Sequence, residues 1–361
     1  MSYSLSICIP TRNRPQELVK TVKTIQGQII ASRALDRVEI LISDNTDEDN
    51  LKVDPAAWQD TNIRYVSNEG NIGYARNLNK LIRNARGKYV WFLADDDSIL
   101  ESAVESILQC LENQKLKAIN YLTFYSGAVW DGVRDENFYF KNCTQHYFAE
   151  GRDFLEKYWL NCIFVSVNIF DREKMISHAE KHNIFNNIND VYQNSLLCIS
   201  FINAYGHVQI IPKTLVFDSY ARKLYTPFNS VSIPVLDYVK LLLQLKNLDV
   251  DKACLQKIKK DVDASLLSNG VRFVIRKIET GDTFDYAAEY RKVIGNKELY
   301  LSSRAKAGFV YLLFKCNTMV SKPIVKALYR IRRKKNLYEH TRQESISWYE
   351  DLKKIKVKVS Y

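Results

Sequence analysis

Three features of the chain predict an α/β fold with a mostly parallel sheet flanked by helices. Short apolar runs recur at 5–9, 38–42 and 88–93. Between them lie segments whose apolar residues return at helical spacing. Each run stops abruptly at polar residues. Strands that alternate with helices pair in parallel through crossover connections.

Leu5-Ser6-Ile7-Cys8-Ile9 reads as a first buried strand, and the polar loop Pro10-Thr11-Arg12-Asn13-Arg14-Pro15 follows it. Leu18, Val22 and Ile25 then predict a helix to about Gln28. Val38-Glu39-Ile40-Leu41-Ile42 is a second strand that ends in Ser43-Asp44-Asn45, and Ile63-Arg64-Tyr65-Val66 is a third. The loop from Asn68 to Gly73 leads into a helix from about Tyr74, with Ala75, Leu78, Leu81 and Ile82 inward and Arg76 in its first turn. Lys88 to Leu93 is the fourth strand, and Asp95-Asp96-Asp97 follows it.

Ligands of open α/β sheets bind beyond the carboxyl ends of the strands. Three adjacent carboxylates there repel one another and require compensating positive charge. A hard cation, Mg²⁺ or Mn²⁺, is one candidate, because such ions take oxygen ligands and share them with phosphates. The plainer alternative is an acidic loop in which Asp97 or Ser98 caps the next helix. Thr11, Arg12 and Asn13 from the first strand, Asp44 from the second and the acidic triplet from the fourth can converge on one ligand. Arg76 sits at a helix N-terminus, where backbone N–H groups favour anions. A carboxylate for a base edge, a cation for phosphate and carboxylates for a metal together suggest a nucleoside diphosphate.

Further along, Ala118 to Tyr125 and Phe164 to Phe170 read as strands, and Arg172 to about His182 as a helix. His178 and His182 are four apart on it; with no third ligand in reach they read as a surface pair, not a metal site. Ser195 to Ala204 is an apolar helix. Val208 to Ile211 and Leu215 to Phe217 are late strands around Pro212. Trp130, Tyr158 and Trp159 are candidates for stacking on a sugar, although burial in a core is the commoner fate of such rings. From Val235 the pattern turns helical, with Val235, Val239, Leu242, Leu243 and Leu245 on one face.

The net charge of +11 is unevenly spread. From Val235 to the end there are 27 Lys/Arg against 14 Asp/Glu, a net of +13; of the chain's 52 and 41, the preceding part keeps 25 and 27, a net of −2. The basic excess therefore belongs to the C-terminal third and points to an anionic surface. Lys322, Lys326, Arg330, Arg332, Arg333, Lys334 and Lys335 alternate with Ile324, Val325, Leu328, Tyr329 and Ile331, just after the apolar Phe309–Phe314. A basic amphipathic helix with aromatics is the pattern of an interfacial membrane helix; a solvated basic face is the alternative. The seven cysteines are scattered without a CxxC pair, so free thiols in a reducing compartment are expected. Met1 to Pro10 has neither the charged nor the long apolar part of a signal peptide. No segment has the length of a membrane span.

Four stretches, SICIPTRNRP, ILISDNTDED, NEGNIGYARN and GKYVWFLADDD, stand in an order and spacing that resemble the nucleotide-binding half of family 2 glycosyltransferases with the GT-A fold. Within that family the chain is most similar to bacterial transferases of O-antigen and capsule synthesis, abequosyltransferase-like members included. The resemblance implies a nucleotide-sugar-binding half at 1–117, an acceptor-binding half at 118–232 and a basic helical region at 233–361. It implies that Pro10, Thr11, Arg12 and Asn13 line the nucleoside site, that Asp44 accepts from the base, and that Arg76 meets the base or phosphates. Asp95 and Asp96 would hold the ribose and the metal on the diphosphate, Mn²⁺ or Mg²⁺, with Asp96 the favoured ligand and Asp97 beside it. Asp190, in Asn189-Asp190 where the family has Glu-Asp, would be the general base. Arg222 would clamp the diphosphate. The family often has an aromatic residue in place of Arg12 and an Asp in place of Ala94. The QxxRW signature of processive synthases is absent, which favours transfer of one sugar. The implied donor is a UDP-sugar and the implied acceptor a lipid-linked saccharide, at the cytoplasmic membrane face through 309–335. A sugar nucleotidyltransferase would need a Gly-rich phosphate loop that PTRNRP is not. A nucleic-acid-binding protein would leave the acidic triplet unexplained, so no nucleic acid partner is expected.

Overall fold

The structure is a computed structural model and describes residues 3–54, 56, 58, 60–113, 115–125, 145–186, 193–218, 234–280, 285–316, 323–324 and 327. The chain divides into two units, Met1–Ile233 with Asp237–Lys260, and Pro234–Leu236 with Asp261–Tyr361.

The first unit is built on one mixed sheet. Its strands are β1 (Leu5–Thr11), β2 (Val38–Asp44), β3 (Ile63–Ser67), β4 (Tyr89–Phe92), β5 (Ser98–Ile99), β6 (Ala118–Tyr125), β7 (Tyr147–Phe148), β8 (Asn168–Asp171) and β9 (Val208–Asp218). Their order is β3-β2-β1-β4-β8-β6-β9-β5, with β7 on β9. β1, β2, β3 and β4 pair in parallel, whereas β8 runs antiparallel between β4 and β6. The chain builds outward from β1 to β3 and then returns to β4 on the other side of β1. The gap between the ends of β1 and β4 is therefore the point where strand order reverses, the place where doubly wound sheets hold ligands.

Helices α1 (Pro15–Ala31), α2 (Tyr74–Asn84) and α3 (Ala103–Leu111) flank this half. Pro15 opens α1, where its missing N–H costs nothing. Leu18, Val22, Ile25 and Ile29 form its buried stripe and join Ile7, Ile9, Ile40, Ile42, Val104 and Ile107 in one core. Alternation along the strands sends Cys8 and Leu41 to the opposite face. Each such side chain contributes about 1.5–3 kcal/mol on burial. α2 starts from Gly73, whose φ of 88° lies in the left-handed region that suits glycine, and buries Ala75, Leu78, Leu81 and Ile82.

The first unit departs from the sequence reading in four places. Phe164–Phe170 is not one strand: Val165–Val167 forms a 3₁₀ turn before β8. Ser98 does not cap a helix; it pairs with Phe217 in a short antiparallel ladder, and α3 begins only at Ala103. The two late strands are one strand, β9, with a bulge where Ile211 pairs with Tyr121 and Thr214 with Leu122. Pro212, which cannot donate to a ladder, lies in that bulge. His178 is not a surface residue: it is 3% exposed on α5 (Arg172–Lys181), bonded to Ser200 on α6 (Gln193–Tyr205) at 2.9 Å.

α4 (Gly151–Tyr158) also lies in this unit, as does α7 (Pro234–Lys246) from Asp237 on, and Trp159, fully buried, packs edge-on to Tyr238 at 5.7 Å. The six described cysteines are all free thiols. α8 (Lys252–Thr280) continues into the second unit, which also holds α9 (Tyr286–Gly295) and α10 (Leu301–Lys315). There Tyr286 stacks on Phe314 at 5.3 Å, and Gly270 lets α8 approach α10, since a Cβ would lie 2.4 Å from Val310 Cγ2. No helix among the described residues is long and apolar enough to cross a membrane.

Candidate active site

Register brings the predicted residues together. Thr11 ends β1 and is the partner of Asp44 at the end of β2. On its other side Thr11 Oγ1 donates to Asp95 Oδ2 at 2.7 Å. Thr11 thus stands between the ends of β2 and β4, at the point where strand order reverses. Pro10, one residue earlier, pairs with Ser43.

The three carboxylates after β4 have separate environments. Asp95 is 4% exposed, and burial pushes its carboxyl up to about 6, against the pull of Arg14 and the Thr11 hydroxyl; the neighbouring Asp96 adds to the rise. Asp97 is also buried, and Ser166 Oγ donates to its Oδ2 at 2.5 Å. Asp96 is the most exposed of the three. The turn is held from behind by Thr21 on α1, whose hydroxyl donates to the carbonyls of Asp95 at 2.8 Å and Asp97 at 3.2 Å. Ser166 Oγ also accepts from Ala94 N at 3.0 Å, and Trp91 Nε1 donates to the Ser166 carbonyl at 2.7 Å.

The compensating charge that the triplet requires is already in the chain. Arg14 Nη1 donates to Asp95 Oδ1 at 2.9 Å and to Asp96 Oδ2 at 2.7 Å. These two carboxylates hold the guanidinium firmly in its charged form. Arg14 and Ser166 are the residues that the sequence reading did not single out. Arg14 carried a signal, since it is a cation in the polar loop that directly follows β1; Ser166 carried none, because its role depends on a long-range pairing.

Asp44 lies 2% exposed, with Oδ1 accepting from Thr46 N at 2.8 Å and Thr46 Oγ1 at 2.5 Å, and Oδ2 accepting from the Tyr65 hydroxyl at 2.6 Å. The Tyr65 phenol is pushed up by burial and by this bond. Arg12 is exposed and pairs with Asp47 at 2.9 Å. Asn13, at φ 56°, donates its N–H to Thr46 Oγ1 at 2.8 Å. Asp47 also accepts from Asn71 N at 2.7 Å, so the loops after β1, β2 and β3 are joined at their tips. Arg76 is exposed in the first turn of α2 and makes no ion pair among the described residues. Tyr74, beside it, is 41% exposed as a residue, and its phenol is pushed up by burial, Cys198, Asp97 and Asp95. Asp190, Arg222 and Trp130 lie outside the described residues.

The donor set suits a divalent ion. Every candidate ligand is a carboxylate oxygen, the hard donor that Mg²⁺ and Mn²⁺ prefer. Asp96 is the most exposed of these carboxylates, whereas Asp97 accepts from Ser166.

Residues 6–178 match the sequence model of Glycosyl transferase family 2. Over 108 residues the chain is 34% identical to the GalNAc(5)-diNAcBac-PP-undecaprenol beta-1,3-glucosyltransferase of Campylobacter jejuni, covering 29% of this chain and 33% of that one. It is 31% identical over 113 residues to the abequosyltransferase RfbV of Salmonella typhimurium, covering 30% and 33%. The chain thus spans about a third of the length of these two relatives. Among solved structures, S. aureus TarS 1–349 in complex with UDP-GlcNAc is similar at a TM-score of 0.61 and 12% identity, with 91% of each chain covered. That likeness is one of fold, and with the sheet and its flanking helices it bears out the GT-A architecture.

Proposed function

We propose that this chain, whose residues 6–178 match the sequence model of Glycosyl transferase family 2, is a glycosyltransferase of that family that moves one sugar from a nucleotide-sugar donor to a lipid-linked saccharide with inversion at the anomeric carbon. The observation that carries this reading is the convergence of Thr11, Asp44, Asp95 and Asp96 on the reversal point of the sheet, inside the matched segment. The name of the C. jejuni relative contains a saccharide on PP-undecaprenol, which supports a lipid-linked acceptor of surface polysaccharide synthesis. A UDP-sugar is the assigned donor, the class bound by TarS in its complex.

In this reading the nucleoside lies along Pro10, Thr11, Arg12 and Asn13, with Asp44 at the base edge and Arg76 near the base or phosphates. Asp95 faces the ribose. A divalent ion held by Asp96, with Asp97 beside it, would neutralise the diphosphate as it leaves. Asp190 takes the proton of the acceptor hydroxyl while that oxygen forms its bond to the anomeric carbon, and the bond to the diphosphate breaks on the opposite face. Arg222 meets the departing diphosphate.

The C-terminal unit would meet the cytoplasmic face of an anionic membrane. On α10, Leu301, Phe309 and Leu312 are 78%, 40% and 58% exposed on one side, at spacings that a helix brings into line. Together with the net charge of +13 from Val235 onward, this supports an interfacial surface rather than a span.

A thermal-shift panel of UDP, GDP, CDP and dTDP, each with and without Mn²⁺, tests the site. Ligand at a hundred times its dissociation constant adds about 2.7 kcal/mol. One nucleotide should stabilise the protein in a Mn²⁺-dependent way, and Asp96→Ala should abolish the effect. No shift with any nucleotide would overturn the reading.

A further inference from the structure

One atom joins two of the corner's three carboxylates. Arg14 Nη1 lies between Asp95 Oδ1 at 2.9 Å and Asp96 Oδ2 at 2.7 Å. A cationic nitrogen there supplies the positive charge that a divalent ion held by Asp96 would otherwise supply. Arginine does not surrender its proton, so a divalent ion arriving at Asp96 cannot discharge it. The guanidinium must move. Arg14 is able to do so, since its side chain is 27% exposed while those of Asp95 and Asp96 are 5% and 16% exposed. It also stands at the N-cap of α1 with no side-chain capping bond to break. What it needs is another anion, and the planar fork of a guanidinium matches phosphate oxygens.

We infer that Arg14 is the resident counter-cation of the corner, and that a divalent ion and a nucleoside diphosphate displace it together. The ion takes Asp96, and the guanidinium turns from the carboxylates to the diphosphate. The inference rests on the reading of the corner as a diphosphate and metal site, and adds to it a coupling between the two ligands. Metal alone must evict a paired guanidinium that gains no new partner. With diphosphate present, the eviction costs far less.

Calorimetric titration of Mn²⁺ alone into the full-length wild type, Arg14→Gln, Arg14→Lys and Asp96→Asn tests this. Without the competing cation, Arg14→Gln should bind Mn²⁺ on the order of tenfold more tightly than wild type, towards the lower end of the usual range for coupled sites. Arg14→Lys keeps a cation and should bind as weakly as wild type. In saturating Mn²⁺, UDP should bind Arg14→Gln more weakly than wild type. Arg14→Met, which keeps the apolar stem, replaces Arg14→Gln if that variant does not fold. A residue that merely props up the turn would leave Mn²⁺ affinity unchanged or lower on its removal, and either result overturns the inference. Mn²⁺ binding to wild type that Asp96→Asn does not weaken would show that the reading of the corner itself has failed, and the inference would fall with it.

Discussion

Thr11 and Asp95, 84 positions apart, share a buried hydrogen bond of 2.7 Å that joins the carboxyl ends of two neighbouring parallel strands. Thr11→Val keeps the shape and removes the donor. Asp95 would then keep a buried oxygen with one partner fewer, at a cost of about 1–3 kcal/mol. Urea denaturation should show that loss, together with weaker UDP binding. Unchanged stability would mean that the bond contributes nothing.

Acid should weaken the fold through His178. Burial, with the nearby His182 and Lys181, pushes its ring down from 6.5 to about 4. A ring that stays neutral in the native state but takes a proton when unfolded stabilises the fold fully above about pH 6.5. That contribution is lost as pH falls through the window down to about 4, by at most about 3 kcal/mol. Stability measured between pH 7 and 4 should fall for wild type and less steeply for His178→Gln. Parallel pH profiles would remove His178 as the cause.

Glu39 is fully buried near the amino end of β2, the end away from the acidic corner, accepting from Ser6 at 2.6 Å, from Arg86 N at 2.5 Å and from Arg64 at 3.1 Å. Removing one partner of a buried ion pair costs about 3–5 kcal/mol. Glu39→Ala should lose that much in chemical denaturation while keeping its affinity for UDP at low temperature. Loss of nucleotide affinity in the folded variant would contradict this separation of roles.

Asp190→Asn should lower kcat by about 10²–10⁴ with donor affinity retained, as expected for removal of a general base. Single-turnover transfer and UDP-sugar binding, measured on the same preparation, separate the two. Equal losses in both would assign Asp190 to binding.

Truncation from Lys322 onward should release the protein from vesicles containing anionic lipid, and Leu312→Glu should weaken the same binding. Each Lys or Arg near such a surface contributes about 1 kcal/mol. Sedimentation with vesicles at low and high salt reads the result. Truncated protein that still sediments would exclude the basic segment as the anchor.

The parallel half was legible because its signals are local. Leu18, Val22 and Ile25 mark one helix face, and apolar runs that end in Thr11, Asp44 and Asp95 mark three strand ends. The antiparallel half was harder to read. Phe164–Phe170 is apolar enough for a strand, yet Asn168 bonds back to the Phe164 carbonyl at 2.8 Å, and the first part closes into a turn. His178 looked like a surface residue because its partners, Ser200, Phe201 and Tyr205, come from another helix. Arg14 was visible as a charge, but its position between two carboxylates follows only once β1 lies beside β4.

Ser166 precedes β8 in the half of the fold from residue 118 onward, yet it holds Asp97 and Ala94 in the other half. A chimera that joins the first 117 residues to a foreign partner domain would inherit the acidic turn without its clasp. Recombination at that junction should therefore succeed only when the incoming segment brings a hydroxyl to the same place, which makes a single serine a compatibility test for exchanging the two halves.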